Sequence, residues 1–200
     1  MPLFYFAMLI WILLNWFQFN LVYGLQMIIL NLTFLFGLVP GKHDSIVPAG
    51  WSIGIEMLFY FIFPLVITLV NNAKVSAVAF VIACFVAYAT SSALREARLD
   101  SYAYMNLINH LPYFIAGITA YRSWQALNYK RHYAGWLILI SAVLLVILSQ
   151  LQILPHRLAM ALPPQTHDFI WAANQFQWAV IFGMLILASV MIRNPLLELK

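Results

Sequence analysis

The chain has 200 residues, of which 64% are hydrophobic and 8% are charged, and its formal net charge is +4. Soluble domains carry about 25% charged residues, so this composition excludes a soluble globular protein and indicates that lipid surrounds most of the chain. The positive charge lies in short loops, which is typical of membrane topology, so we expect no nucleic-acid partner. The single cysteine, Cys84, excludes an internal disulfide and a cysteine-rich metal site.

Apolar stretches of about 20 residues are long enough to cross the hydrocarbon core of a bilayer as helices. A seventh apolar stretch, Leu25–Val39, has only about fifteen residues and is either a short span or a re-entrant segment. The sequence therefore predicts an all-α, polytopic transmembrane helix bundle that forms one membrane domain over residues 1–200. About six spans are expected, and in chain order they are Phe4–Val22, Trp51–Val70, Val75–Thr90, Leu107–Tyr121, Trp136–Leu151 and Asn174–Ile192.

The loop after Tyr121 orients these spans, because it carries Arg122, Lys130 and Arg131 without an acidic residue. The positive-inside rule places this loop in the cytoplasm and His43 on the opposite side. The amino terminus is then outside if Leu25–Val39 crosses fully, and inside if it re-enters. The same cations could attract an anionic acyl-CoA, but topology and contact with lipid headgroups are the preferred interpretation.

The strongest chemical signal is a glutamate inside the second long span, Glu56. A charged group at membrane depth costs roughly 2.5–3.5 kcal/mol on insertion scales, so an intramembrane carboxyl group indicates a function more often than packing. Ser52, Glu56 and Tyr60 are four residues apart and share one helical face. Pro64 cannot donate to the carbonyl of Tyr60, which predicts a kink and a free carbonyl beside that face.

Residues 51–60, Trp-Ser-Ile-Gly-Ile-Glu-Met-Leu-Phe-Tyr, are followed by Phe-Pro-Leu at 63–65. This motif resembles the signature of the membrane-bound acyltransferase 3 family, which includes O-acetylases of bacterial surface polysaccharides. Weaker similarity is found at three other segments, Pro2–Tyr5, Asn31–Leu38 and Leu111–Ile118, so the resemblance covers nearly the whole chain.

The resemblance implies a multi-pass O-acyltransferase of the inner (plasma) membrane. It would transfer an acyl group, expected to be acetyl, from acyl-CoA to a hydroxyl of a sugar or surface glycan. Glu56 is the implied catalytic residue, which positions or polarises a reacting group. Trp51, Ser52 and Tyr60 are the implied substrate-binding residues; Ser52 and Tyr60 orient the reacting group and Trp51 anchors the helix. No bound cofactor is expected, and the partners are the lipid bilayer, acyl-CoA and the glycan acceptor.

Family members also carry earlier helices with a basic residue and a histidine, the expected catalytic base, and they continue beyond the last helix of this chain. The resemblance thus implies an internal fragment that lacks amino-terminal and carboxy-terminal helices of the domain. We expect such a fragment to have little or no activity alone, and a separate chain that supplies the missing helices is one partner that this interpretation allows.

The histidines of this chain offer no obvious replacement for that base. Because no pair has metal-ligand spacing on a helix, no metal site is expected. His110 lies beside Pro112 at the start of a span and suits an interfacial role better than catalysis. The other four fall in predicted loops, where a solvated side chain is expected: His43, His132, His156 and His167.

Two other classes of function stay open at this point. A transporter or channel subunit also contains broken helices and intramembrane carboxylates, but the Trp51–Pro64 pattern has no second copy in the chain. The other class is a non-enzymatic membrane subunit that completes a bundle with another chain.

Overall fold

A computed structural model describes residues 2–126, 132–150 and 167–193, which are helical and contain no β-strand. The all-α prediction is confirmed, and each of the six predicted long spans coincides with a helix. The two spans that are short in the sequence prediction extend into their polar flanks, to 24 and 20 residues. The helices are α1 (Pro2–Phe19), α2 (Leu25–Leu32), α3 (Trp51–Leu69), α4 (Ala73–Glu96), α5 (Asp100–Tyr104), α6 (Leu107–Ala126), α7 (His132–Gln150) and α8 (His167–Arg193).

Within the described residues, α1, α3 and α4 are long and apolar enough to cross a membrane. Shorter apolar helical stretches occur at Ile138–Ile147 and Phe176–Ile192. These features are those of a helical membrane protein. The number of crossings stays a prediction.

The stretch Leu25–Val39 is broken and does not form one helix. Helix α2 has eight residues, or about 12 Å of helix, against about 30 Å of hydrocarbon core. After it the backbone of Phe34 turns into the left-handed region, with φ of 58°, and a short 3-10 helix occupies Leu35–Leu38. The geometry favours the non-crossing alternative for this segment.

Asparagine side chains and backbones mark several helix ends. Asn20 stops α1 in a left-handed conformation, with φ of 50°, and its N–H donates to the carbonyl of Trp16 at 3.1 Å. Asn72 and Asn106 precede α4 and α6, where their side-chain oxygens accept the N–H of the third residue along the chain at 2.9 and 3.0 Å. Such caps satisfy N–H groups that the helix itself leaves without a partner.

The chain divides into two compact units. Unit 1 comprises Met1–Leu65 and Thr90–His110, and unit 2 comprises Val66–Ala89 and Leu111–Lys200. In unit 2, α7 runs along α8, and a Cβ on Gly135 would lie 3.0 Å from the side chain of Ile192.

The core of unit 1 joins the start of α1 to the segment between α2 and α3. Its buried members are Phe4, Met8, Phe34, Phe36 and Ile46, and Trp51, Ile53 and Met57 of α3 pack against them. The rings of Phe4 and Phe34 lie 5.0 Å apart between centroids. The first two turns of α3, which carry the motif, pack against this core.

The packing of Phe36 requires a glycine at position 54 of the motif. The ring of Phe36, which has no exposed surface, lies so close that a Cβ on Gly54 would be 2.4 Å from its Cζ atom. The absence of a side chain at position 54 therefore allows Phe36 to pack directly on α3.

We expect Gly54→Ala to lower the free energy of unfolding by about 1–3 kcal/mol, because the added methyl group must displace a buried ring. Unfolding of the purified protein in detergent micelles measures this change. Gly117→Ala on α6 is the matched control, since a Cβ there has no neighbour within 4 Å and the substitution should be neutral or stabilising. Equal effects of the two substitutions would contradict the packing role of Gly54.

A topology reporter tests the non-crossing segment. If α1 crosses once from the inside and α2 does not cross, reporters fused after Gly24 and after Asp44 should both lie outside the cytoplasm. A reporter fused after Asn128 should be cytoplasmic, because it follows the cationic end of α6. A cytoplasmic signal from the Gly24 fusion or the Asp44 fusion would show that this part of the prediction is wrong.

Candidate active site

Helix α3 begins after a tight turn that the sequence Pro48-Ala49-Gly50 produces. The N–H of Gly50 donates to the carbonyl of Val47 at 2.9 Å, and Ala49 adopts a left-handed conformation with φ of 59°. From Trp51 the helix is continuous through Pro64 to Leu69. One uninterrupted helix therefore displays the whole motif.

Glu56 and Tyr60 form the central pair of the motif. The hydroxyl of Tyr60 donates to Oε1 of Glu56 at 2.5 Å. This length is that of a charge-assisted O–H···O⁻ bond, which is stronger than a bond between neutral groups. The i, i+4 spacing predicted this contact, and the structure brings the two side chains together.

The pair lies on the less covered side of α3. The buried residues of this helix are Gly54, Ile55 and Phe59, whereas Glu56 is half-buried and Tyr60 is 53% exposed. The hydroxyl of Tyr60 is bonded to Oε1 of this carboxylate and not to Oε2. The carboxylate can therefore accept a further hydrogen bond from a group that approaches this side of the helix.

Ser52 does not join this pair through a hydrogen bond. Its hydroxyl is exposed and donates to the carbonyl of Ala49 at 3.1 Å, which closes the turn before the helix. A local carbonyl competes successfully for a serine hydroxyl at a helix start. Its expected orienting role is untested.

Trp51, His110 and Tyr104 form a cluster of three rings at the start of α3. The ring of Trp51 lies 5.3 Å from that of Tyr104 and 5.5 Å from that of His110, and Tyr104 and His110 are 5.6 Å apart. Trp51 thus fixes the beginning of the motif helix through aromatic contacts within unit 1. This anchoring comes from protein packing in addition to any interfacial preference.

The contacts of His110 determine which nitrogen carries its proton. Nε2 lies 2.9 Å from the carbonyl oxygen of Tyr104, and a carbonyl can only accept, so Nε2–H is the donor. In the neutral ring, Nδ1 is then the basic nitrogen. His110 sits in the first turn of α6, close to where the sequence placed it, but it is half-buried by its aromatic neighbours.

The prediction that His43 is a solvated loop residue is wrong. Its side chain is only 7% exposed and lies 5.3 Å from the ring of Tyr102. The N–H of Gly41 donates to Nδ1 of His43 at 3.2 Å, so the neutral ring carries its proton on Nε2, which lies 2.8 Å from Oγ of Ser101. Nε2 therefore donates to Ser101 and cannot remove its proton; His43 instead ties the loop before α3 to α5.

Burial also affects the phenol that faces His43. Desolvation raises the pKa of Tyr102 above its ordinary value, so this phenol stays neutral throughout the physiological range. The ring contact between His43 and Tyr102 consequently involves no tyrosinate charge near neutral pH.

Asn31 holds the loop that precedes the motif. Its side chain is fully buried, and its Oδ1 accepts the hydroxyl of Ser45 at 2.9 Å and the N–H of Ile46 at 3.0 Å. Its Nδ2 donates to the carbonyl of Met27 at 2.9 Å. Sequence reasoning gave Asn31 no role, although an amide inside an apolar run was a visible signal of the same kind as Glu56.

The guanidinium of Arg122 is hydrogen-bonded to backbone carbonyls at the end of α3. Its Nε donates to the carbonyl of Val70 at 3.0 Å and its Nη2 to the carbonyl of Ile67 at 3.1 Å, while Nη1 donates to Gln125. The guanidinium thus caps the carboxy-terminal end of α3, where carbonyl groups lack helical partners and cations are favoured. This role was not predicted; Lys130 and Arg131 lie outside the described residues.

The remaining histidines add no site. His132 and His167 begin α7 and α8, not loops, and His156 lies outside the described residues. Among the described residues, no three His, Cys, Asp or Glu side chains group as metal ligands.

Comparison with known proteins decides the family. The acyltransferase 3 sequence model, described as an acyltransferase domain, matches residues 3–199. The chain belongs to the acyltransferase 3 family. No curated protein and no solved structure matches the chain. The resemblance of the Trp51–Pro64 motif is thereby confirmed, and family membership together with the apolar helices makes the chain a membrane acyltransferase in general terms.

We expect Asn31→Leu to lower the free energy of unfolding by about 2–4 kcal/mol, because two buried donors, Ser45 Oγ–H and Ile46 N–H, lose their acceptor. Unfolding in detergent micelles is the measurement. Asn15→Leu on α1 is the control, since that amide is only half-buried and its side chain donates to Trp11 within its own helix at 2.8 Å; it should change stability by less than about 0.5 kcal/mol. Comparable losses for both variants would argue against a special role of Asn31.

Proposed function

We propose that this acyltransferase 3 protein transfers an acyl group, acetyl in the first instance, from acyl-CoA to a hydroxyl of a sugar or surface glycan. The proposal places it in the inner membrane with several crossings. The observation that carries it is the Glu56–Tyr60 pair on the exposed side of a motif helix in a chain that belongs to this family.

Glu56 acts on the acceptor hydroxyl in this proposal. The sugar O–H donates a hydrogen bond to the carboxylate, which increases the electron density on the sugar oxygen as it approaches the thioester carbonyl. The new bond joins the sugar oxygen to the acyl carbon, the carbon–sulfur bond breaks, and the hydroxyl proton leaves with the thiol of CoA. The products are the sugar ester and free CoA, so the reaction needs no metal or redox cofactor.

Tyr60 and Trp51 support this step without taking part in bond formation. The hydroxyl of Tyr60 occupies Oε1 of Glu56, which orients the carboxylate and leaves Oε2 for the acceptor. Trp51 fixes the start of the helix, five residues before Glu56, through its contacts with Tyr104 and His110. Ser52, which lies one turn before Glu56 and is exposed, contacts the substrate at the mouth of the site.

The test uses membrane vesicles that contain the chain, alone and together with the helices that it is expected to lack, with radiolabelled acetyl-CoA and the cell-envelope glycan as acceptor; transfer is expected in the second case. Glu56→Gln should lower kcat/KM by about 100-fold or more, because it removes the charge that accepts the sugar O–H. Tyr60→Phe should lower it by roughly tenfold, because one charge-assisted hydrogen bond is lost. Transfer is measured as label in the glycan and as release of CoA thiol.

Glu96→Gln is the matched control, since Glu96 is an exposed acid at the last residue of α4 and should tolerate the same change without loss of activity. Full activity of Glu56→Gln would refute the role of the carboxylate. Failure to label any glycan with acetyl-CoA and with longer acyl-CoA donors, even when the missing helices are supplied, would refute the assigned substrates.

A further inference from the structure

A cleft of about 180 Å³ lies between α4, α6 and α8 in unit 2. Its walls include Phe80 of α4, Ala116 and Ala120 of α6, and Gly183 and Met184 of α8. The small residues create the concavity, since a Cβ on Gly183 would lie only 3.4 Å from the carbonyl oxygen of Ala116. The cleft is therefore a product of close helix packing within one unit.

The walls of this cleft are suited to hydrocarbon. Thr119 is among its few polar residues, and its hydroxyl is directed to backbone carbonyls, those of Ser76 at 3.1 Å and Ile115 at 2.8 Å. Apolar cavities of about 150 Å³ stay dry and take up hydrocarbon ligands in preference to water. A flexible alkyl chain is a better occupant of this cleft than a sugar or a nucleotide.

One end of the cleft lies at the cationic end of α6. Ser123 lines the cleft and is adjacent in sequence to Arg122, whose guanidinium lies at the carboxy-terminal end of α3. The acceptors of this guanidinium are the carbonyls of Val70 and Ile67 and the side chain of Gln125, all of which are neutral.

The same end of α6 has the character of a headgroup region. Tyr121 and Trp124 line a second, smaller cleft with Ala120 and Leu187, and such aromatic residues are enriched at membrane interfaces. Helices α6 and α8 run parallel towards this end. Gly183 of α8 lies against Ala116 of α6, and one turn further along Leu187 lines the second cleft with Ala120.

An apolar cleft that ends near interfacial aromatics and a cation bonded to neutral groups fits an anionic amphiphile. We propose that this cleft binds one acyl chain of an anionic phospholipid, with the lipid phosphate at the cationic end of α6. A phospholipid is favoured over a long-chain acyl-CoA because the bilayer presents lipid chains directly to the sides of these helices. The proposal does not depend on the acyl-transfer activity.

The experiment uses the full-length protein in phosphatidylcholine nanodiscs that contain a small fraction of phosphatidylglycerol with a photoactivatable diazirine in one acyl chain. Mass spectrometry after illumination should find the label concentrated on the cleft residues of α6 and α8. The same diazirine chain on phosphatidylcholine should label these residues less, by roughly fivefold for each cation that acts on the headgroup. Arg122→Gln, which removes the described cation, should reduce this preference.

Ser123→Phe and Val180→Phe each place a bulky ring on one of two opposite walls of the cleft. Each variant should lower the labelling by roughly tenfold, because an acyl chain that buries two fewer methylene groups in the cleft binds about tenfold more weakly. Val143→Phe enlarges an exposed side chain of α7 that does not line the cleft and should leave labelling unchanged. Thermal unfolding identifies any variant that does not fold, and the second wall variant then carries the test.

Three results would overturn the proposal. Label spread evenly over the exposed faces of all helices, and insensitive to both wall variants, would indicate non-specific surrounding lipid. Equal labelling by the two headgroups would exclude selection for an anionic lipid. If added palmitoyl-CoA abolished the labelling and added unlabelled phosphatidylglycerol did not, the cleft would be assigned to acyl-CoA.

Discussion

The buried amide of Asn31 is the constraint on which unit 1 depends. The segment between α2 and α3 has no regular hydrogen-bonded structure after residue 38, yet Ile46 is buried within it. A backbone N–H in such surroundings costs about 1–3 kcal/mol if it has no acceptor. Asn31 supplies that acceptor and also holds Ser45, so the loop can enter the core.

The same loop carries a conformational cost that its packing offsets. A left-handed backbone at a bulky residue such as Phe34 costs roughly 1–2 kcal/mol. The rings of Phe34 and Phe36 are both buried, and their close packing in the core of unit 1 offsets that cost. Phe36 then requires a glycine at position 54, and this contact couples the loop to the turn of α3 that precedes Glu56.

The sequence was sufficient to predict the long helices and the contact between Glu56 and Tyr60, but not the packing of the residues around this pair. Lipid solvation requires long apolar helices, so the length of apolar stretches predicted α1, α3 and α4. Spacing of four residues predicted the contact of Glu56 with Tyr60, because both lie on one helix. Burial of His43 depends on Ser101, 58 residues away, and no local pattern reports such a contact. The break after α2 was equally hidden, since Phe is not a residue that marks left-handed turns.

Arg122 shows why a cation can serve the fold and still act on ligands. Its hydrogen bonds at the end of α3 go to backbone carbonyls and to Gln125, all of which are neutral. These bonds satisfy the donors of the guanidinium but leave its charge uncompensated. Arg122 is adjacent in sequence to Ser123, which lines the apolar cleft, so in the proposed lipid site the capping of α3 also holds a positive charge towards one end of the cleft. The fold of unit 2 thereby creates the polarity that an anionic lipid requires.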